Sequence, residues 1–124
     1  LVKPKGYQGA ALTMEEGTTY TKEDYEKQVA TNVETQGVID QVVAYITSHN
    51  FKDFPTVVAL VEDATDQLGF ATGAKEKAES AAAEEDWQNA MLWANQWWQY
   101  QVKTADLGLR AKTYLEQNGA VKVK

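Results

Sequence analysis

Cysteine is absent from the 124 residues. That excludes a disulfide framework, thiolate zinc sites and thiol nucleophiles. A single histidine, His49, excludes metal sites built from several imidazoles. Two prolines and eight glycines are too few turn residues for a sandwich or barrel. No uninterrupted apolar run exceeds five residues, against the roughly 20 that cross a bilayer, so the chain is expected beside a membrane at most, not through one. No Asn-x-Ser/Thr sequon is present. Basic residues are in deficit as well. The net charge is −6, which argues against nucleic acid as a partner, because phosphate binding needs a surplus of Lys and Arg.

What is present describes one acidic domain with enough apolar residues, 44%, to bury a core. The first residue is Leu1 rather than Met, which fits a cleaved transit or signal peptide or an arbitrary cut. Residues 1–21 read as an irregular arm, because Pro4, Gly6, Gly9 and Gly17 break any period. Tyr7, Leu12, Met14 and Tyr20 could lay that arm over a body.

The spacing predicts a helix from about Lys22 to Ser48, with Thr21 as N-cap and Asp24 completing a capping box. Its apolar stripe slips by one residue near Gln36-Gly37, where a kink is expected. A short connector leads to a second helix, capped by Asp53, opened by Pro55 and stopped by Gly69. The shortness of the connector predicts that these two helices pack antiparallel. An uninterrupted helix over 74–117 would measure about 66 Å, too long for a domain of this size. The expected break is Glu84-Glu85-Asp86, with Asp86 capping the next helix; the rival break is Thr104 to Gly108. The expectation is therefore an all-α fold: a four-helix up-down-up-down bundle over 22–118, an N-terminal arm over 1–21, and a basic tail over 119–124 that starts at Gly119 and frays.

Candidate chemistry is sparse. His49 reads either as a general base or as a cation against helix C-terminal carbonyls. Ser48 adjoins it, but neighbours on a helix do not face one another. The carboxylates show no Glu-x-x-His pair and no EF-hand spacing, and Glu84-Glu85-Asp86 is either a loose cation site or a solvated turn. No catalytic, metal or cofactor residue is expected. Trp87, Trp93, Trp97, Trp98 and Tyr100 crowd 14 residues. Trp87, Met91 and Trp98 share one face; Trp93, Trp97 and Tyr100 share another, which is either core or an exposed interface. Charge is unevenly spread. Lys3 and Lys5 give residues 1–5 a net +2, and Lys103, Arg110, Lys112, Lys122 and Lys124 leave 103–124 at +3, while 6–102 carry −11. That asymmetry points to electrostatic docking on a partner, with those seven cations, Trp93 and Trp97 as candidate contacts.

One stretch carries a resemblance. The helix corner AYITSHNFKDFPTVVALVEDATDQLG, residues 44–69, is similar to the corresponding corner of the PsbQ family, the extrinsic lumenal subunits of photosystem II. Phe54-Pro55 stands at the family's aromatic-Pro pair, and Val57, Val61 and Leu68 stand at its apolar helical positions. The size, the lack of cysteine, the arm and the helical reading are similar too, most nearly to the small PsbQ-like subunits of diatoms and related algae. The Trp-rich final segment and the acidic body depart from the pattern. The resemblance implies a four-helix bundle without catalytic residues or cofactor. It implies a place in the chloroplast thylakoid lumen, peripheral to the membrane. There such a subunit docks on the photosystem II core and its other extrinsic subunits and stabilises the oxygen-evolving complex. A different class remains open: a secreted or periplasmic ligand-binding module that stacks its ligand on Trp93, Trp97 and Tyr100.

Overall fold

The structure, a computed structural model, describes residues 18–123. Lys3, Lys5, Tyr7, Leu12, Met14 and Lys124 lie outside them. Helix α1, Lys22–Thr47, begins as its sequence dictates. The Thr21 hydroxyl accepts the Asp24 N–H at 3.3 Å, and the Asp24 carboxylate accepts the Thr21 N–H at 2.9 Å. Glu23 and Asp24 add negative charge where the helix dipole favours it. The helix runs without interruption through Gln36-Gly37. The slipped stripe has another cause. The buried face of its first half is Gln28, Asn32 and Thr35, and the valines of that half lie beside it, with Val33 61% exposed.

At the corner, Phe51–Asp53 form one 3-10 turn. Asp53 does not cap the next helix: its carboxylate accepts the Asn50 side-chain N–H at 3.1 Å, and Phe54 occupies the N-cap position without a side-chain bond. Helix α2, Pro55–Ala83, has Pro55 in its first turn, where the missing N–H costs nothing.

Gly69 does not stop α2. A helical glycine costs about 1 kcal/mol against alanine. Val57 on one side of it and Ala71, Ala74 and Ala78 on the other lie on one buried face, and that burial outweighs the local preference. The break at Glu84–Asp86 does occur: Glu85 adopts φ 57, the Asp86 N–H reaches back to the Ala81 carbonyl at 2.9 Å, and the Asp86 side chain caps α3, Trp87–Gln117, by accepting the Asn89 N–H at 3.2 Å. Thr104 to Gly108 lie within α3. The fold is all-α, with three long helices among the described residues where four were expected.

Helix α3 is the spine. Both α1 and α2 lie along it; they run antiparallel to each other, as expected, but scarcely meet, so they do not pack as a pair. Hydrogen bonds set α1 parallel to α3: the Asn32 side-chain N–H donates to the Ala94 carbonyl at 3.0 Å, and that of Gln101 to the Asn32 carbonyl at 3.0 Å and to Gln36 Oε1 at 3.2 Å. Gln28 donates to Asn32 Oδ1 at 2.9 Å, closing a buried polar seam. Farther along, Gly108 lets α1 come close. A Cβ there would stand 2.8 Å from Val42 Cγ1. Around that contact Val38, Ile39, Val42, Ile46, Val57, Ala105, Leu109, Ala111 and Leu115 make the larger apolar core. A second core joins Ala71, Ala74 and Ala78 of α2 to Ala94 and Trp97 of α3.

Candidate functional site

The helix order puts the start of α1, the end of α2 and the start of α3 at one end of the molecule. That end is acidic. Residues 22–27 and 75–86 carry a net −4, even with Lys22, Lys27, Lys75 and Lys77 among them. The opposite end is close to neutral: 103–123 carry +2, and the corner with the start of α2, 48–63, carries −2 from Lys52 against Asp53, Glu62 and Asp63. Lys103 and Arg110 are seven residues apart on α3 and so share a face. Arg110 pairs with Asp106 at 3.0 Å, both largely exposed, so the pair adds little to stability. The Lys103 ammonium lies 5.4 Å from the Tyr100 ring centre, and that of Lys112, on another side of α3, lies 5.1 Å from the Tyr45 ring.

The tail does not fray. After Gly119, which takes φ 70 to let the Ala120 N–H bond the Leu115 carbonyl at 3.0 Å, the chain pairs with the α1–α2 corner. The Asn50 N–H donates to the Val121 carbonyl at 2.9 Å, the Val123 N–H to the Ser48 carbonyl at 2.8 Å, and the Val121 N–H to Asn50 Oδ1 at 2.8 Å. This sets exposed Lys122 across a single antiparallel bridge from His49, at the end of the molecule where Arg110 and Lys112 stand. A Gly-bearing stop followed by Val-Lys-Val gave the only sequence signal for such a strand.

Ser48 and His49 do meet, because the helix has ended: Ser48 Oγ lies 3.0 Å from His49 Nδ1. The pair is not a nucleophile and its base. Ser48 Oγ donates to the Tyr45 carbonyl at 2.7 Å, and His49 Nδ1 lies 2.6 Å from that same oxygen. A carbonyl only accepts, so Nδ1 carries its proton and cannot take one from Ser48. His49 is buried and stacks on the Tyr45 ring at 4.1 Å. Burial, with Glu116 adding to it, pushes the Tyr45 phenol above its ordinary range; burial and then Glu79 do the same for Tyr25.

The tryptophans divide between core and flank. Trp97, 6% exposed, is packed with Ala71, Ala74, Ala78 and Ala94. Trp98 is buried as well. Trp93 is half-buried, with the Lys77 ammonium 4.3 Å from its ring centre. Tyr100 meets Phe70, the rings 5.5 Å apart. These contacts take up ring faces that a stacked ligand would need.

The feature that the sequence reading missed is a cleft between α1 and α2. Ile39, Val42, Ile46, Ala105 and Gly108 form its floor near the corner, Val43, Val61, Ala64 and Leu68 its walls, and it encloses about 270 Å³. It continues as a wider trough of about 580 Å³ between Val29, Val33, Gly37 and Asp40 of α1 and Leu68, Thr72, Lys75 and Glu79 of α2, over Trp97. From Tyr25 to Thr47 it follows α1 for about 30 Å at 1.5 Å per residue. Val33 and Val43, off the buried α1 stripe, were the available signal.

Among the described residues no group of three or more His, Asp or Glu is placed to hold a metal ion, and no helix is long and apolar enough to cross a membrane. In comparisons with known proteins, the chain matches no family model, no curated protein and no solved structure.

Proposed function

We propose that this chain is a non-catalytic docking subunit, an extrinsic protein of the lumenal face of photosystem II that stabilises the oxygen-evolving complex. The observation that carries the reading is a gradient of charge along the helical body, from an acidic end to one near neutral that presents its cations on α3 and the tail. Arg110, Lys112 and Lys122 lie toward one end, with Lys103 at the middle of α3, and the carboxylates of 23–26 and 79–86 lie toward the other. Such a distribution orients a protein on a charged surface more than it tightens the contact. The corner at Ala44–Gly69, similar to the PsbQ corner, supports the choice of assembly.

Screening supplies the test, since exposed charges lose their reach at high salt. The chain is expected to leave photosystem II membranes in about 1 M salt and to rebind at low salt. The triple variant Lys103→Glu, Arg110→Glu, Lys122→Glu is expected to stay in solution. Failure of the unaltered chain to rebind salt-washed photosystem II at low salt rejects this function.

A further inference from the structure

Among the described residues, the α1–α2 cleft has the form of a bundle that lacks one helix. Both walls rest on α3 and scarcely meet, and the gap between them is about 30 Å long, enough for five turns of helix. Its lining is mainly apolar near the corner and mixed along the trough, where Val29, Leu68 and Trp97 alternate with Asp40, Lys75 and Glu79. Val33 and Val43, 61% and 46% exposed, stand on its α1 wall. Gly37 sits in the middle of that wall. A Cβ there would find nothing within 4 Å, so no described neighbour needs a glycine at this helix-interior position, and the bare backbone lets another helix approach closely.

Charge indicates what fills the gap. Helices α1 and α2 each carry a net −3. Asp40 and Glu79 stand on the rim, with Lys75 the opposing charge there. A second copy would bring walls of the same sign. We infer that the cleft seats an amphipathic helix of a partner protein, apolar on its inner face and basic on its outer one. This is the helix-in-groove mode, in which apolar anchors at helical spacing enter the groove while opposite charge sets partner choice and orientation. The inference does not rest on the photosystem assignment and stands or falls apart from it.

The test uses the full chain and two 18-residue probes, an amphipathic Leu/Lys peptide and its Leu/Glu counterpart. The Leu/Lys peptide is expected to bind one to one, to gain helix by circular dichroism, and to shift the amide resonances of Val33, Gly37, Val43, Leu68 and Thr72. The Leu/Glu peptide is expected to bind at least tenfold more weakly. The double variant Val33→Glu, Val43→Glu places charge only at exposed positions. It adds attraction for a cationic peptide yet should weaken binding at least tenfold, with the chain's own helical signal unchanged. Gly37→Ala, for which the free protein has room, should weaken it as well. Four results overturn the inference: no binding; binding indifferent to the Val33/Val43 variant, with shifts at Glu84–Asp86 instead; binding that appears only after residues 1–17 are removed; or a dimer of the unliganded chain that Val43→Glu dissociates.

Discussion

Gly108→Ala places one methyl group where Val42 of α1 lies close against α3. The new Cβ would lie 2.8 Å from Val42 Cγ1 and 3.8 Å from Val42 Cβ, whereas carbon atoms prefer about 3.5–4.0 Å. A displacement of about 0.7 Å is therefore required. Val42 is buried in the core with Ile39 and Ile46, and a helical valine strongly favours one rotamer. Overpacking of this kind costs about 1–3 kcal/mol. Alanine returns about 0.8–1 kcal/mol of helix propensity. The expected net loss is about 1 kcal/mol, a fall in Tm of about 4 °C for a domain of this size. The same substitution at Gly69, where a Cβ meets nothing within 4 Å, should raise stability by about 0.5–1 kcal/mol. Urea titrations followed by far-ultraviolet circular dichroism measure both. Val42→Ala removes the opposing methyl, so the Val42→Ala, Gly108→Ala pair should be less damaging than the sum of the single changes by about 1 kcal/mol. The reasoning is refuted if Gly108→Ala matches or exceeds the unaltered chain in stability, or if the two changes simply add.

Four further outcomes are expected. Glu85→Gly should raise urea stability by about 0.5–1 kcal/mol, because residue 85 holds φ 57, a left-handed conformation that glycine adopts freely. Asn32→Ala should lose about 1–3 kcal/mol in the same titration, since it deprives the buried Gln28 amide of its acceptor. Asn50→Ala should abolish the hydrogen-exchange protection of the Val121 amide, which donates to Asn50 Oδ1, while leaving α3 protected. Thermal stability should fall as pH rises above about 10. The folded chain keeps the raised Tyr25 and Tyr45 phenols protonated where the unfolded chain releases those protons, so stability slopes downward there. Tyr25→Phe, Tyr45→Phe should flatten that slope in a melting series.

Helix ends were the most legible part of the sequence. Thr21 with Asp24, Pro55, and Asp86 with Asn89 each carry a bond or a backbone constraint decided within three residues, and α1 and α3 begin on those caps. Gly69 misled because its effect is local and small, while the burial of Ala71, Ala74 and Ala78 against α3 depends on Ala94 and Trp97, 16 to 26 positions away. The N-terminal half of α1 misled for a different reason. Val29 and Val33 trace an apolar line, but the face turned to α3 is Gln28, Asn32 and Thr35, satisfied by partners that hydropathy does not reveal. With the helix count and that face misassigned, the cleft between α1 and α2 was out of reach. Of the candidate contacts, the cations were assigned to two ends by sequence position; what brings Lys122 beside the α1–α2 corner is the pairing of Val121 and Val123 with Asn50 and Ser48. Trp97 was ambiguous in sequence because a tryptophan at helical spacing reads alike as core and as interface.

Because α1 leans on α3 and hardly on α2, the order in which the molecule comes apart is built into its plan. The α2–α3 hairpin joins helices adjacent in sequence across a three-residue turn, and local contacts of that kind close early and with little entropic cost. The first half of α1, in contrast, is held to α3 largely by amide side chains. Partial opening should therefore peel α1 away from its N-terminus while the hairpin persists, and native-state exchange should find the amides from about Gln28 to Thr35 less protected than those near Ala105 and Leu109. A chain organised in this way can lend its first helix to rearrangement without losing the rest of its fold.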